Sequence, residues 1–300
     1  MKIVVTGAGG LLGSELVGLN GAELDAIAGA GAAADAGELE IVGLSRPELD
    51  VTDASEARTV LQELQPDWVI HCAAYTAVDR AEAEPEEAMA VNHGGTVNVT
   101  AAAATVGAGL VYISTDYVFD GTKGEPYLPS DPVAPLSVYA RTKLAGEEAA
   151  LAAGGVAVRT GWLYGAGGGN FVDAILRRAA AGEGLRVVDD QRGRPTWARN
   201  VARGVVELVG GSPGRAGAGE LAGVWHLADG GDATWLELAR EAVRRRGLEV
   251  EIEGVSTEEW GAAAPRPMDS VLDLSATEAR LGRSMMHWKD ALETYLASGT

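Results

Sequence analysis

A doubly wound α/β fold, a parallel sheet with helices on both faces (Rossmann) and a smaller C-terminal cap for substrate, is the architecture this chain predicts. Three observations carry that prediction. The opening run Lys2-Ile-Val-Val-Thr6 is short and β-branched, and it leads through Gly7-Ala-Gly-Gly-Leu-Leu-Gly13 into an apolar helical pattern at Leu16 and Leu19. Strand-like runs then alternate with helical stretches along the chain, which is the signature of parallel strands joined by crossover helices. Finally, 300 residues of which 47% are hydrophobic suffice for a large buried core.

Taken in order, strands are expected at Ile3–Thr6, Glu40–Leu44, Trp68–Cys72, Leu110–Ser114, Val156–Thr160 and Leu185–Val188. Helices fill the intervals at Ala54–Leu64, Pro85–Val106 and Val138–Ala152. The Ala- and Gly-rich segment Gly18–Gly37 reads as an extended loop or a padded helix end, and Gly210–Gly223 as a surface connection before a short strand at Val224–Leu227. Helical patterns at Trp235–Arg246, Ala276–Leu281 and Trp288–Leu296 supply a cap. The expected division is a dinucleotide domain of residues 1–165 and 195–228 and a substrate domain of residues 166–194 and 229–300.

Composition excludes several function classes. A formal net charge of −19, from 24 basic and 43 acidic residues, opposes nonspecific binding to nucleic acid or to an anionic membrane, because the phosphate attraction such partners require is missing. Cys72 is the single cysteine, which leaves no intrachain disulfide and no C-x-x-C site, and a reducing compartment is the simplest setting. The chain enters a core strand at once, and no stretch reaches the roughly 18 uninterrupted apolar residues of a membrane span, so a cytoplasmic location is expected. His71, His93, His226 and His287 show no metal-ligand spacing.

Ligands of a doubly wound sheet bind beyond the carboxyl ends of its strands. At the first strand end, Gly7, Gly10 and Gly13 allow the tight turn, the close backbone approach and the close helix, and the pyrophosphate of a dinucleotide then lies on the N–H groups around Leu11 and Leu12. The spacing is Gly-x-x-Gly-x-x-Gly, which alone is a weak signal. The second strand ends in Gly43-Leu-Ser-Arg46 without an acidic residue at its tip, so Ser45 and Arg46 suit a 2′-phosphate and favour NADPH over NADH, against the plain alternative of a solvated arginine. Asp50, followed by Val51, either contacts adenine or caps the next helix. Ala73 and Ala74 end the third strand and let the dinucleotide lie close to backbone.

The fourth strand end, Ser114-Thr115-Asp116-Tyr117, brings a hydroxyl for a carbonyl oxygen. Tyr139 and Lys143, four apart on the following helix, share one face. Ketone reduction requires a proton donor at oxygen, and an ammonium beside a phenol lowers a pKa that is otherwise near 10. Such a pair on its own is more often surface decoration; its coincidence with the glycine turn and the Ser-Thr strand end reverses that reading.

These residues resemble the extended short-chain dehydrogenase/reductases, which share the glycine turn and the Tyr-x-x-x-Lys pair, and within them the dTDP-4-dehydrorhamnose reductases. The strings Ala73-Ala-Tyr-Thr-Ala-Val-Asp79, Ser114-Thr-Asp-Tyr-Val-Phe-Asp-Gly121, Tyr139-Ala-Arg-Thr-Lys-Leu-Ala-Gly-Glu147, Asp190-Gln-Arg-Gly-Arg-Pro-Thr196 and Arg266-Pro267 carry the likeness over nearly the whole chain. The resemblance implies reduction of a dTDP-4-keto-6-deoxy sugar by NAD(P)H. Tyr139 would protonate the C4 oxygen, Lys143 would bind the nicotinamide ribose and Thr115 would hold the carbonyl. Thr76, Val78, Asp116, Tyr117 and Trp162 would line the sugar, with Asn170 beside the diphosphate; Trp162 and Tyr117 equally suit a core role. Arg266 is assigned to the diphosphate on charge alone.

Dehydratases on the same scaffold carry Asp-Glu where this chain has Asp116-Tyr117, which favours simple reduction. Some relatives form dimers through Mg²⁺ held by an acidic residue matching Glu15 and a second one that aligns with Arg199 here. An arginine repels a hard cation, so no Mg²⁺-bridged dimer, and a monomer, is expected. Rival readings are a 4-ketoreductase of another dTDP-deoxysugar pathway and a noncatalytic regulatory subunit like that of methionine adenosyltransferase.

Overall fold

The computed structural model describes residues 1–19, 21–30, 39–210 and 219–299. Six parallel strands form the central sheet: β1 (Lys2–Thr6), β2 (Glu40–Leu44), β3 (Trp68–His71), β4 (Gly109–Thr115), β5 (Val156–Thr160) and, out of sequence, the strand Gly223–His226. Their order across the sheet is β2-β1-β3-β4-β5 and then Gly223–His226. The chain leaves β1 first towards β2 and then returns to place β3 on the other side, so the switch point lies between β1 and β3, where a doubly wound sheet opens its ligand crevice.

Burial on both faces explains why these strands are apolar runs instead of alternating ones. On one face Leu12 and Leu16 of α1 (Leu11–Val17) pack with Val201, Val205 and Val209 over Ile3, Val5 and Ile70. On the other, Ala57 and Leu61 of α2 (Ala54–Leu64) and Val99, Ala102 and Ala103 of α3 (Thr96–Val106) cover Val4, Val69 and Leu110. The α2 helix begins at Asp53, whose carboxylate accepts from the N–H groups of Ser55 and Glu56. The catalytic-helix candidate α4 (Val138–Ala152) begins at Ser137, whose hydroxyl accepts from the Ala140 N–H.

Three differences from the sequence reading have physical causes. Leu185–Val188 leaves the central sheet and pairs in parallel with Ile252–Val255, because Leu185 and Val187 are buried against Ile175, Leu236, Ala239 and Val243 of a separate core. The stretch Pro85–Val106 is not one α-helix: Pro85–Met89 passes through a π-helical turn at Ala90–Gly95 before α3, and Asn92 within that turn is fully buried. Within Gly18–Gly37, Gly21–Ala30 forms a helix, while residues 31–38, and residues 211–218 of the second glycine-rich stretch, lie outside the described residues.

The cap is built around two apolar clusters. α5 (Phe171–Ala180), α6 (Ala198–Gly210), α7 (Trp235–Arg245) and α8 (Trp288–Ala297) are the long helices after β5. Val172, Leu238, Ala242, Trp288, Leu292 and Tyr295 of α5, α7 and α8 make one cluster, and the buried side of Leu185–Val188 makes the other. No helix among the described residues is long and apolar enough to cross a membrane.

Candidate active site

A cleft of about 840 Å³ runs across the carboxyl ends of β1 to β5, from the glycine turn to the first residues of the cap. Gly7, Gly10, Leu11, Leu12, Gly13, Ser45, Arg46, Asp50, Val51, Ala73 and Ala74 line one end of the residue set; Thr76, Val78, Thr115, Asp116, Tyr117, Tyr139, Lys143, Trp162 and Asn170 line the rest.

The glycine turn fits a dinucleotide. Gly7 has φ +69°, and a Cβ there would meet the Ala73 nitrogen at 2.5 Å. A Cβ on Gly13 would collide with the Gly7 carbonyl oxygen, while Gly9 has nothing within 4 Å and leaves the approach open. Gly10 is the N-cap of α1 and no side chain caps that end, so the first-turn N–H groups are available to a phosphate.

At the tip of β2, Arg46 reaches Asp50 at 3.6 Å. Ser45 is engaged as well: its N–H and its hydroxyl both donate to Glu48, each at 2.7 Å. Asp50 does not cap the helix, a role Asp53 fills; its carboxylate accepts from the N–H and hydroxyl of Thr52.

The three residues expected to carry chemistry converge. Tyr139 is held by burial with its pKa pushed up to about 12, against which the Thr115 hydroxyl pulls down. Its ring meets that of Tyr117 edge-on at 6.2 Å. The Thr115 hydroxyl donates to Asp116 at 3.1 Å and accepts from the Tyr117 N–H at 3.2 Å. Lys143, 3% exposed, donates to the Ile113 carbonyl at 2.5 Å and lies 4.2 Å over the Tyr112 ring. Burial lowers its pKa to about 7. The Lys143 side chain is directed to the Ile113 carbonyl, and burial is the first cause of both shifts.

Ser114 turns its hydroxyl away from Thr115, donating to Glu147 at 2.5 Å. Glu147 in turn accepts from Arg159 Nε at 3.0 Å and Nη2 at 2.5 Å, so a buried ion pair braces β4, β5 and α4 beneath the site. Asp116 is 2% exposed, and burial pushes its pKa up to about 7, with Ser270 and Thr115 hydrogen bonds opposing the shift. A Cβ on Gly161 would collide with the Asp116 carboxylate, so a glycine is required beside it.

Trp162 stands at φ +53°, a left-handed conformation that costs a non-glycine residue roughly 1–3 kcal/mol. Asn170 caps α5, accepting from the Asp173 N–H at 3.0 Å. Arg266 lies beside Tyr117, and its Nη1 and Nη2 donate to Asp79 at 2.9 and 2.7 Å, a pairing that engages the charge assigned to the diphosphate. Arg199 is paired with Glu15 at 3.3 Å and with Glu23 at 2.5 Å. Among the described residues no group of three or more His, Cys, Asp and Glu is placed to hold a metal ion.

Sequence reading missed several residues of this site. Phe171 and Trp235 line the cleft, and Gly167, Gly168 and Gly169 form its rim above α1. Asn92 holds the Ala74–Thr76 loop from beneath: it accepts from the Tyr75 N–H at 2.8 Å and donates to the Tyr75 carbonyl at 3.1 Å and to Thr142 at 2.9 Å. A buried polar residue in a helix interrupted by His93-Gly94-Gly95 was the available signal.

Comparison with known proteins agrees with this geometry. A family model described as RmlD substrate binding domain matches residues 1–300. A protein of Streptomyces griseus called dTDP-4-dehydrorhamnose reductase is 42% identical, the match covering 96% of this chain and 91% of that one. A dTDP-4-keto-6-deoxy-D-glucose reductase of Streptomyces niveus is 37% identical, with 96% and 94% covered. The crystal structure of dTDP-4-dehydrorhamnose reductase from Bacillus anthracis in complex with NADP is 35% identical and superposes with a TM-score of 0.87 over 99% of both chains. With its glycine turn, Tyr139 and Lys143 in one cleft, the chain belongs to the RmlD family, whose members similar to it include dTDP-4-dehydrorhamnose reductases.

Proposed function

We propose that this protein reduces the C4 ketone of dTDP-4-dehydro-6-deoxy-L-mannose to dTDP-L-rhamnose, taking hydride from NADPH, with NADH accepted less well. The convergence of Thr115, Tyr139 and Lys143 in the cleft of the glycine turn carries this reading. The nicotinamide supplies hydride to C4. Tyr139 gives its proton to the oxygen as charge develops there. Thr115 donates to the same oxygen, for which its hydroxyl must release Asp116, and fixes the ketone relative to the Tyr139 ring. Lys143 holds the nicotinamide ribose, and the turn from Gly7 to Gly13 receives the pyrophosphate. Arg46 and Ser45 meet the 2′-phosphate, for which Ser45 must release Glu48. Thr76, Val78, Asp116, Tyr117 and Trp162 surround the sugar, with Asn170 towards the diphosphate.

In this reading residues 1–165 and 195–228 serve the cofactor and residues 166–194 and 229–300 the sugar nucleotide, in a cytoplasmic monomer. Arg199 supports the absence of a metal-bridged dimer, because its pairing with Glu15 and Glu23 puts a cation where Mg²⁺ would have to sit.

A second reading, a 4-ketoreductase of another dTDP-deoxysugar pathway, is favoured by the likeness to the Streptomyces niveus protein. One assay separates them: the purified chain with dTDP-6-deoxy-L-lyxo-4-hexulose and NADPH, with identification of the sugar nucleotide formed. Formation of dTDP-L-rhamnose is expected. Untouched NADPH with this sugar but oxidation with another dTDP-4-keto sugar establishes the second reading, and no oxidation with any of them defeats both.

A further inference from the structure

The string Asp190-Gln-Arg-Gly-Arg-Pro-Thr196 has no part in the chemistry above, yet it builds a socket for two tryptophans that line the cleft. Trp162 and Trp235 stack flat, ring centroids 3.6 Å apart and planes 2° from parallel. Gly193 makes the room, since a Cβ there would run into the Trp162 indole. The Thr196 N–H donates to the Trp162 carbonyl at 3.1 Å and so pins the residue in its left-handed conformation. Gln191, 4% exposed, accepts from the Trp235 indole N–H at 3.3 Å and donates to Thr257 at 2.9 Å. Asp190 closes the socket by accepting from the Thr257 N–H at 2.9 Å and its hydroxyl at 2.6 Å. Trp235 is the first residue of α7, whose start is fixed by the capping box of Thr234 and Glu237. Phe171 tilts against its ring at 4.7 Å.

We propose that Trp235, tied to Gln191 and stacked on Trp162, is a positioning residue for the sugar nucleotide, joining the cap to the catalytic strand ends so that an aromatic wall stands beside the deoxyhexose. A π-face is electronegative and suits the C–H face and methyl group of a 6-deoxy sugar, which offers little to hydrogen-bond there. Trp162 held in a strained conformation can be placed reproducibly only if its surroundings fix it, and Trp235 covers its ring. This inference rests on the functional reading above, specifically on a sugar nucleotide entering from the Trp162 side.

The test uses Trp235→Leu and Trp235→Phe in the full chain. For Trp235→Leu, KM for dTDP-6-deoxy-L-lyxo-4-hexulose should rise about five- to tenfold, the usual weight of one aromatic stack, with kcat and the KM for NADPH little changed. Trp235→Phe, which can still stack, should recover most of the loss. Two parallel indoles at this distance couple electronically, so the wild-type circular dichroism should carry a tryptophan exciton couplet that Trp235→Leu lacks and that dTDP-L-rhamnose perturbs while NADPH does not. An unchanged sugar KM in Trp235→Leu overturns the proposal, as do sugar and NADPH KM values rising together, which would mark general loosening of the fold. An inactive wild type would instead defeat the functional reading, so the wild-type assay comes first.

Discussion

Replacing Tyr139 by Phe isolates the proton transfer from everything else the site does. The variant loses one oxygen; its ring keeps the edge-on contact with Tyr117 at 6.2 Å. Lys143 should not move, because its ammonium is bonded to the Ile113 carbonyl and rests over Tyr112, with no tie to the Tyr139 hydroxyl. Cofactor binding should therefore survive. The rate should not: a positioned general acid is worth roughly 10²–10⁴, or about 2.7–5.5 kcal/mol of barrier. The nearest replacement is Thr115, but an aliphatic hydroxyl is a far weaker acid than a phenol, which places the loss in the upper half of that range. Asp116 offers a small residual path, since its carboxyl is held up to about 7 by burial; the remaining rate should rise as pH falls through that value. Steady-state oxidation of NADPH at saturating sugar gives kcat, and quenching of tryptophan fluorescence gives the NADPH Kd. A kcat within tenfold of wild type would refute the assignment of Tyr139 as the acid, and a lost NADPH affinity would refute the independence of Lys143.

Three further outcomes are expected. Arg46→Ala should lower the NADPH over NADH preference in kcat/KM by roughly fivefold, a value discounted from a charge-assisted hydrogen bond because the side chain is 77% exposed; an unchanged ratio would leave the 2′-phosphate to other groups. Glu147→Ala strips the Arg159 guanidinium, 3% exposed, of its carboxylate and should destabilise the fold by about 3–5 kcal/mol in urea unfolding, whereas a loss under 1 kcal/mol would mean that the pair is solvated. The pH dependence of stability should carry two opposite slopes. Asp116, raised from 3.8 to about 7, adds stability that is full below about 4 and lost as pH rises to 7; Lys143, lowered from 10.5 to about 7, adds stability that is full above about 10.5 and lost as pH falls to 7. Asp229, also raised to about 7, acts in the same window as Asp116, and His71 and His226, lowered to about 3, act with the opposite sign below 6.5. Asp116→Asn should therefore reduce the first slope without abolishing it and Lys143→Met should reduce the second, and slopes unchanged by either substitution would place the titration elsewhere.

What was legible in the sequence was what local chemistry determines. The β-branched run from Lys2, the glycine turn and the i, i+4 pair of Tyr139 and Lys143 each declare themselves within one element, and the helices Ala54–Leu64 and Val138–Ala152 begin at Asp53 and Ser137, side chains suited to that role. The cap was legible only in part. Leu185–Val188 has the same composition as a central strand, and nothing local says that its partner will be Ile252–Val255 instead of the sheet. Trp235 lies more than 70 residues from Trp162, with no period or spacing that joins them. Arg266 was assigned on charge alone, and its pairing with Asp79, nearly 190 residues upstream, could not be read from the sequence.

The same strand end also explains why reduction, and not elimination of water, suits this cleft. Elimination across C5 and C6 needs a base to take a proton and an acid to deliver one to the departing hydroxyl, both poised near neutral pH. Position 116 offers one such group, a carboxyl near 7. Position 117 offers no second carboxyl: burial, and next the Asp116 charge, raise the Tyr117 phenol above its ordinary 10, so it is not a base at neutral pH. Arg266 lies beside it and opposes that rise, but its own charge is neutralised by Asp79. The proton inventory of the cleft is thus a half-buried phenol at Tyr139 and one buried carboxyl linked to it through Thr115. Reduction needs only the single proton that Tyr139 can give the ketone oxygen when hydride arrives at its carbon, whereas elimination would need a base and an acid side by side at this strand end, where positions 116 and 117 hold one carboxyl and a phenol.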